Sequence, residues 1–280
     1  MGRYDLLIRK IVSFANRDER ITAVIMIGSR ACEVNGADEF SDLDLILVSS
    51  DTDWLVDSND WLSEIGKYHI VFVEKTIADA DEKRVMFEDA LDVDFVIVSN
   101  ENVEALLADN EAMAILQNDY KILVDKVGIQ AAIPNPIPAA TYVCPSEKIY
   151  TNVVNDFWYH TIWTTKKLLR GELWAAKSCL DNYMKHKLLW MMEFYEHSEH
   201  GADYNTWYGG RFVDTWAEDE VVRQLASAFA HYERQDMINA LKKTMDLFRS
   251  IAVRAAEKSG YIYPVEADDY ATHWVNSNLI

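Results

Sequence analysis

Apolar residues recur near the start of the chain as Tyr4, Leu7, Ile8, Ile11, Val12 and Ala15. This is the three-and-four spacing of one buried helix face, so an amphipathic helix is predicted over residues 4–15. The pattern then changes period. ITAVIMI (Ile21 to Ile27) is β-branched and almost wholly apolar, as a strand covered on both faces must be, and LDLILV (Leu43 to Val48) is a second run of the same kind. Shorter runs predict strands at His69 to Val73, Val85 to Glu88 and Val93 to Val98, the last two as a hairpin across Ala90 and Leu91. Short helices fit between these strands, a capped helical pattern covers Asn100 to Leu107, and Tyr120 to Val124 reads as one more strand.

Pro134, Pro136, Pro138 and Pro145 then break regular structure and mark a hinge. Beyond them the period is helical throughout, over Glu147 to Arg170, Glu172 to Glu196, Glu218 to His231 and Arg234 to Lys258, which predicts a bundle of four or five helices. The fold expected is α+β: an N-terminal α/β domain with a mixed sheet over residues 1–133, and a C-terminal helical bundle over 146–280. A length of 280 residues suits two domains.

Composition adds limits. Half the residues are apolar, enough for a core that needs no disulfide or metal to hold it. Cys32, Cys144 and Cys179 are odd in number and far apart, which argues against a disulfide framework and for a reducing compartment. Mixed charges at Arg3, Asp5, Arg9 and Lys10, and the lack of a long apolar run, make a cytoplasmic protein without membrane association the expectation. The formal charge of -19 disfavours a nucleic-acid partner, whose phosphates would need Lys and Arg, and favours a cationic one. Oligomeric state is not readable from these features.

The stretch that carries chemistry runs from Ile25 to Val48, where a strand delivers a Gly-Ser turn and the next strand opens on Asp-Leu-Asp. Side chains alternate across a strand, so Asp42 and Asp44 emerge on one face while Leu43 and Leu45 enter the core. Paired carboxylates on a rigid element suit Mg²⁺, which takes its remaining ligands from water and substrate phosphates. Gly28 lets backbone approach a phosphate, the Ser29 hydroxyl can bond it, and Arg30 offers a charged fork. A third carboxylate, to complete the site or to deprotonate an attacking hydroxyl, is available at Asp94 in the strand beginning Asp92-Val-Asp, with Asp92 read as a solvated turn residue.

The Gly-Ser turn, the Asp-x-Asp and the distant third Asp resemble the nucleotidyltransferase superfamily that includes DNA polymerase β. More closely, ERITAVIMIGSRA, FSDLDLILV, VMFEDALDVDFVIV, NDFWYHTIWTTKKLLRGELWAAK and GYIYP resemble the streptomycin-type aminoglycoside 6-adenylyltransferases over nearly the whole chain. The resemblance implies that Asp42, Asp44 and Asp94 are catalytic and hold Mg²⁺, that Gly28 and Ser29 hold the phosphates of ATP, and that AMP passes to a hydroxyl of a streptomycin-like aminoglycoside with release of pyrophosphate. Asp-Leu-Asp replaces the family's frequent Asp-Tyr-Asp, and the loop from Ala31 to Phe40 departs from it. A lincosamide or another small alcohol is the alternative acceptor, and a noncatalytic nucleotide-binding module the alternative class.

In the helical half, Lys177 and Lys166 are candidates for phosphate, Lys177 preferred. Asp156, Trp158, Tyr159, Glu193 and Tyr195 supply the acidic and aromatic side chains that a polycationic acceptor needs, Asp156 and Tyr159 lying in a segment the resemblance covers. His197 and His200 have metal-ligand spacing without a third ligand, and Thr206 to Phe212 reads as a loop in which Arg211 meets phosphate or solvent.

Overall fold

Helix α1 (Arg3–Arg17) buries Tyr4, Leu7, Ile11, Phe14 and Ala15 along one face, as the opening periodicity predicts. At its positive end the Asp5 carboxylate accepts the Gly2 N–H at 2.8 Å. At its other end Lys126 Nζ donates to the carbonyls of Ala15 and Asp18 at 2.6 and 2.8 Å, groups that the helix itself leaves without a partner. The computed structural model describes residues 2–32, 37–76, 79–108, 113, 116, 120–133 and 142–279. Two compact units divide the chain, Met1–Ala140 and Thr141–Ile280. Of the four prolines expected at the hinge, Pro134, Pro136 and Pro138 lie outside the described residues; Pro145 directly precedes Ser146, the N-cap of the first long helix of the second unit.

In the first unit the described strands are β1 (Ile21–Ile27), β2 (Leu43–Ser49), β3 (Tyr68–Lys75), β4 (Asp81–Phe87), β5 (Leu91–Ser99) and β6 (Lys121–Asp125). They form one sheet in the order β3-β4-β5-β2-β1-β6, in which β2 and β5 run parallel and the other described pairs antiparallel. Helices α2 (Thr52–Asp57) and α3 (Asp60–Ile65) carry the chain from β2 to β3, α4 (Val103–Ala108) follows β5, and α5 (Ile129–Ala132) follows β6.

All seven residues of β1 are buried because both faces of the sheet centre are covered. Leu43, Leu45, Leu47, Val93, Phe95 and Ile97 pack on one face with Leu7, Phe14 and Trp61. Ile25, Ile27, Ile46, Val96 and Val98 pack on the other with Leu106 and Ile129. Each such side chain contributes about 1.5–3 kcal/mol when fully buried. On this second face the apolar alternation of β2 and β5 is interrupted at Asp44 and Asp94.

Lys83 of β4 points into the first core with 1% of its surface exposed. Its Nζ donates to the carbonyls of Leu55, Val56 and Ser58 at 2.9, 2.8 and 2.7 Å, closing the C-terminal end of α2. Burial pushes the ammonium down to about 8.

The second unit is helical. Its long helices are α6 (Glu147–Leu169), α8 (Met184–His200) and α11 (Arg234–Ser259), with α7 (Leu173–Ser178), α9 (Val213–Trp216), α10 (Asp219–Ala228) and α12 (Val265–Asn278) around them. Phe157 and Phe248 stack at 3.7 Å between α6 and α11, beside buried Trp158, Met191 and Leu247. The stretch predicted as one helix from Glu172 to Glu196 is α7 and α8 joined through a π-helical turn, Cys179–Tyr183, which hydrophobic periodicity does not reveal. Helix α12 was not expected. It buries only Asp268, Ala271 and Val275, and is held by the Arg249 guanidinium, which donates to both oxygens of Asp268 at 2.6 Å. An ionic anchor of this kind leaves no apolar stripe to read.

Candidate active site

Parallel pairing of β2 with β5 sets Asp44 directly opposite Asp94, and antiparallel pairing of β1 with β2 sets Ile27 opposite Asp44. Gly28 therefore leaves β1 beside the two carboxylates, and Asp42 adds a third just ahead of β2. Asp42, Asp44 and Asp94 each offer an oxygen within 4.8 Å of the others, and among the described residues they form the sole such acidic, histidine or cysteine group of three or more. Asp42 is exposed, Asp44 half-buried and Asp94 buried.

Gly28 has φ +70°, and a Cβ there would overlap Asp44 Oδ2 and meet Asp44 Cγ at 3.1 Å. Only glycine combines that conformation with that approach. The next residue, Ser29, carries a buried hydroxyl with no hydrogen-bond partner among the described residues, and the same holds for Asp94 Oδ1. Groups of this kind are costly unless something else completes them.

Charge repulsion points the same way. Burial, then the neighbouring charge of Asp42 and other carboxylates, pushes Asp44 up to about 6. Burial pushes Asp94 up to about 7, against the opposing pull of Arg84 and with Glu82, Asp92 and Asp44 adding to the rise. Crowded hard oxygens, one of them orphaned, fit a divalent cation such as Mg²⁺, which would neutralise them. Asp92 is held up by burial and by Asp42, but its backbone is tied to Tyr4, whose hydroxyl lies 3.0 Å from the Asp92 nitrogen, and it stays outside the group of three.

The profile of the streptomycin adenylyltransferase family matches residues 1–278. The chain belongs to that family. It is accordingly a nucleotidyltransferase, with the α+β architecture expected of one. It is 22% identical to an aminoglycoside 6-adenylyltransferase of Staphylococcus aureus over 271 residues, covering 92% of each chain. It is 23% identical to that of Bacillus subtilis (strain 168), covering 90% of each. Against the crystal structure of an aminoglycoside 6-adenyltransferase from Bacillus subtilis, the TM-score is 0.47 at 20% identity, covering 96% of this chain and 95% of the other.

Other residues singled out from the sequence stand differently. Arg30, expected to fork a phosphate, is committed elsewhere: it donates to the carbonyls of Asp42, Asp38 and Ser41, and its guanidinium lies 3.4 Å above the Tyr4 ring. The loop ahead of β2 needs those donors because its backbone has no strand partner there, so Arg30 braces Asp42 through the main chain. Lys177 forms an ion pair with Asp181 one helical turn on, and Lys166 is exposed with its Nζ 5.7 Å from the Trp274 ring.

The Asp156 carboxylate accepts from the Tyr183 hydroxyl and pairs with Lys187 at 2.8 Å and His160 at 2.7 Å, which leaves its charge balanced within the helical unit. Tyr159 is exposed, with no hydrogen bond recorded for its hydroxyl among the described residues. Trp158 and Tyr195 are core residues. Glu193 is half-buried without a described hydrogen bond, and burial pushes it up to about 7. His197 stacks on Tyr142 at 3.6 Å and His200 pairs with Glu196, so neither completes a metal site among the described residues. Arg211 is exposed and lies over the Phe212 ring. Sequence reasoning missed Arg84 of β4, whose Nη2 lies 3.3 Å from Asp94 Oδ2. The signal available for it was alternation along β4, which puts Glu82 and Arg84 on the face opposite Lys83.

Proposed function

We propose that this chain transfers AMP from ATP to a hydroxyl of a streptomycin-like aminoglycoside, with Mg²⁺ held by Asp42, Asp44 and Asp94, and releases pyrophosphate. The observation that carries the reading is the convergence of three carboxylate oxygens within 4.8 Å beside a glycine whose missing side chain makes room for Asp44. The names of the relatives and the charge of -19, which favours a polycationic acceptor, support the choice of acceptor.

In this reading Gly28 allows the triphosphate to approach the turn and Ser29 gives its unpartnered hydroxyl to a phosphate oxygen. Mg²⁺, when bound, neutralises the triphosphate and the three carboxylates. Asp94, the most buried of them, receives the proton of the acceptor hydroxyl. The new bond joins that oxygen to the α-phosphorus, the bond from the α-phosphorus to the β-phosphate oxygen breaks, and pyrophosphate leaves with the electron pair. Positioning and charge neutralisation supply most of such an acceleration, with proton removal adding about 10²–10⁴-fold. The helical domain spanning 146–280 is assigned the acceptor, with exposed Tyr159 its readiest contact, whereas Asp156 and Lys177 would have to exchange their present partners to take part.

The test is pyrophosphate release from ATP and Mg²⁺ with streptomycin, other aminoglycosides and a lincosamide, with the product's mass increased by one AMP. Asp44→Asn should lower turnover by about 10³-fold or more while leaving the circular dichroism spectrum unchanged, since it removes a carboxylate ligand of the cation that neutralises the triphosphate. Release with a lincosamide alone would move the acceptor class, and silence across the panel would remove the proposal.

A further inference from the structure

The third carboxylate has two oxygens in different situations. Asp94 Oδ1 is buried with no hydrogen-bond partner among the described residues, whereas Oδ2 lies 3.3 Å from Arg84 Nη2. Arg84 sits on β4, opposite Asp94 of β5 on one side and Phe72 of β3 on the other. Its guanidinium reaches in two directions at once. Nε pairs with Glu74 of β3 at 2.8 Å and with Glu82 of its own strand at 3.4 Å, while Nη2 faces Asp94. The planar fork is therefore anchored on the outer strands and presents one edge to the site.

We infer that Arg84 is the positioning residue of the third carboxylate: held between Glu74 and Asp94, it fixes the Asp94 side chain by Oδ2 and so keeps Oδ1 turned to the ligand. The inference rests on the proposed function, in which Asp94 is a metal ligand and receives the acceptor proton. A lysine has the same charge, but its donors share one nitrogen, and it lacks the rigid fork that meets Glu74 through Nε and Asp94 through Nη2. Arg84→Lys thus separates orientation from charge. Glu74→Gln separates the anchor from the site, because Glu74 does not belong to the carboxylate group.

The experiment is Mn²⁺ binding to the full chain, followed by the electron paramagnetic resonance signal of free Mn²⁺, alongside kcat and KM for ATP. Arg84→Lys should weaken Mn²⁺ binding about threefold or more and lower kcat about tenfold, with KM for ATP changed less, as a displaced reacting group requires. Glu74→Gln should move both quantities in the same direction by a smaller factor. Thermal melts of both variants should stay close to that of the parent chain, which rules out unfolding as the cause. Arg84→Lys equal to the parent in Mn²⁺ binding and kcat would overturn the inference, leaving Arg84 as a charge alone. Absence of Mn²⁺ binding in the parent chain would instead overturn the proposed function, so the two failures are distinguishable.

Discussion

At Gly28 an added methyl would meet two penalties together. The φ of +70° is unfavourable for any residue with a Cβ, costing about 1–2 kcal/mol, and the methyl would displace the Asp44 carboxylate. Gly28→Ala should therefore lower the melting temperature by a few degrees and turnover by about 10²-fold, the loss associated with a reacting group moved by about 1 Å. Thermal denaturation and steady-state assays measure the two effects separately. Glu193 offers a residue-scale test of burial. Its folded-state value of about 7 lies above the ordinary 4.5, so the folded chain keeps a proton that the unfolded chain has lost between those values. Stability associated with this group is complete below about pH 4.5 and declines as pH rises through about 7. Glu193→Gln should remove that decline. Urea midpoints should show the variant gaining on the parent between pH 5 and pH 8, by about 1 kcal/mol once solvent screening of a partly exposed group is allowed for.

Among the elements, those whose side chains alternate or recur against a core were legible. The strands from Ile21 and Leu43, helix α1 and the helices from Glu147 and Arg234 stand within a residue or two of their predicted bounds, because burial alone shapes their sequences. The convergence of Asp42, Asp44 and Asp94 was legible for a related reason: alternation fixes the face, and a parallel register brings two faces together. What could not be read is where single cations find their partners. Arg249, Arg84 and Lys83 each look like solvated residues in sequence, yet they meet Asp268, Asp94 and the carbonyls at the end of α2. Strand β3 was expected only over His69 to Val73; it runs from Tyr68 to Lys75, and its last two residues, Glu74 and Lys75, are exposed and charged and so carry no apolar signal. Lys83 gives the element-scale prediction. Lys83→Met would leave the Leu55, Val56 and Ser58 carbonyls without their shared donor, at a cost of about 2–4 kcal/mol, seen as a lower urea midpoint.

For the whole molecule the charge of -19 is the governing quantity. A negative field attracts a polycation and repels the ATP polyanion, and salt screens both over about 10 Å at 0.1 M. Raising ionic strength should thus increase KM for a streptomycin-like acceptor and leave KM for ATP unchanged or lower; equal responses of the two constants would argue against electrostatic recruitment of the acceptor. No described helix is long and apolar enough to cross a membrane.

The parallel pairing of β2 with β5 has a consequence for how the site comes into being. Between Ser49 and Leu91 the chain places α2, α3 and the β3–β4 hairpin, so the two paired strands are separated by a long connection. Long-range pairing of this type is slow, because closing the intervening loop loses entropy before any contact repays it. A chain that has not yet paired Asp94 with Asp44 has no complete acid cluster to offer, so under the proposed function divalent-ion capture would serve as a late kinetic marker, reporting molecules whose β2–β5 pairing has formed.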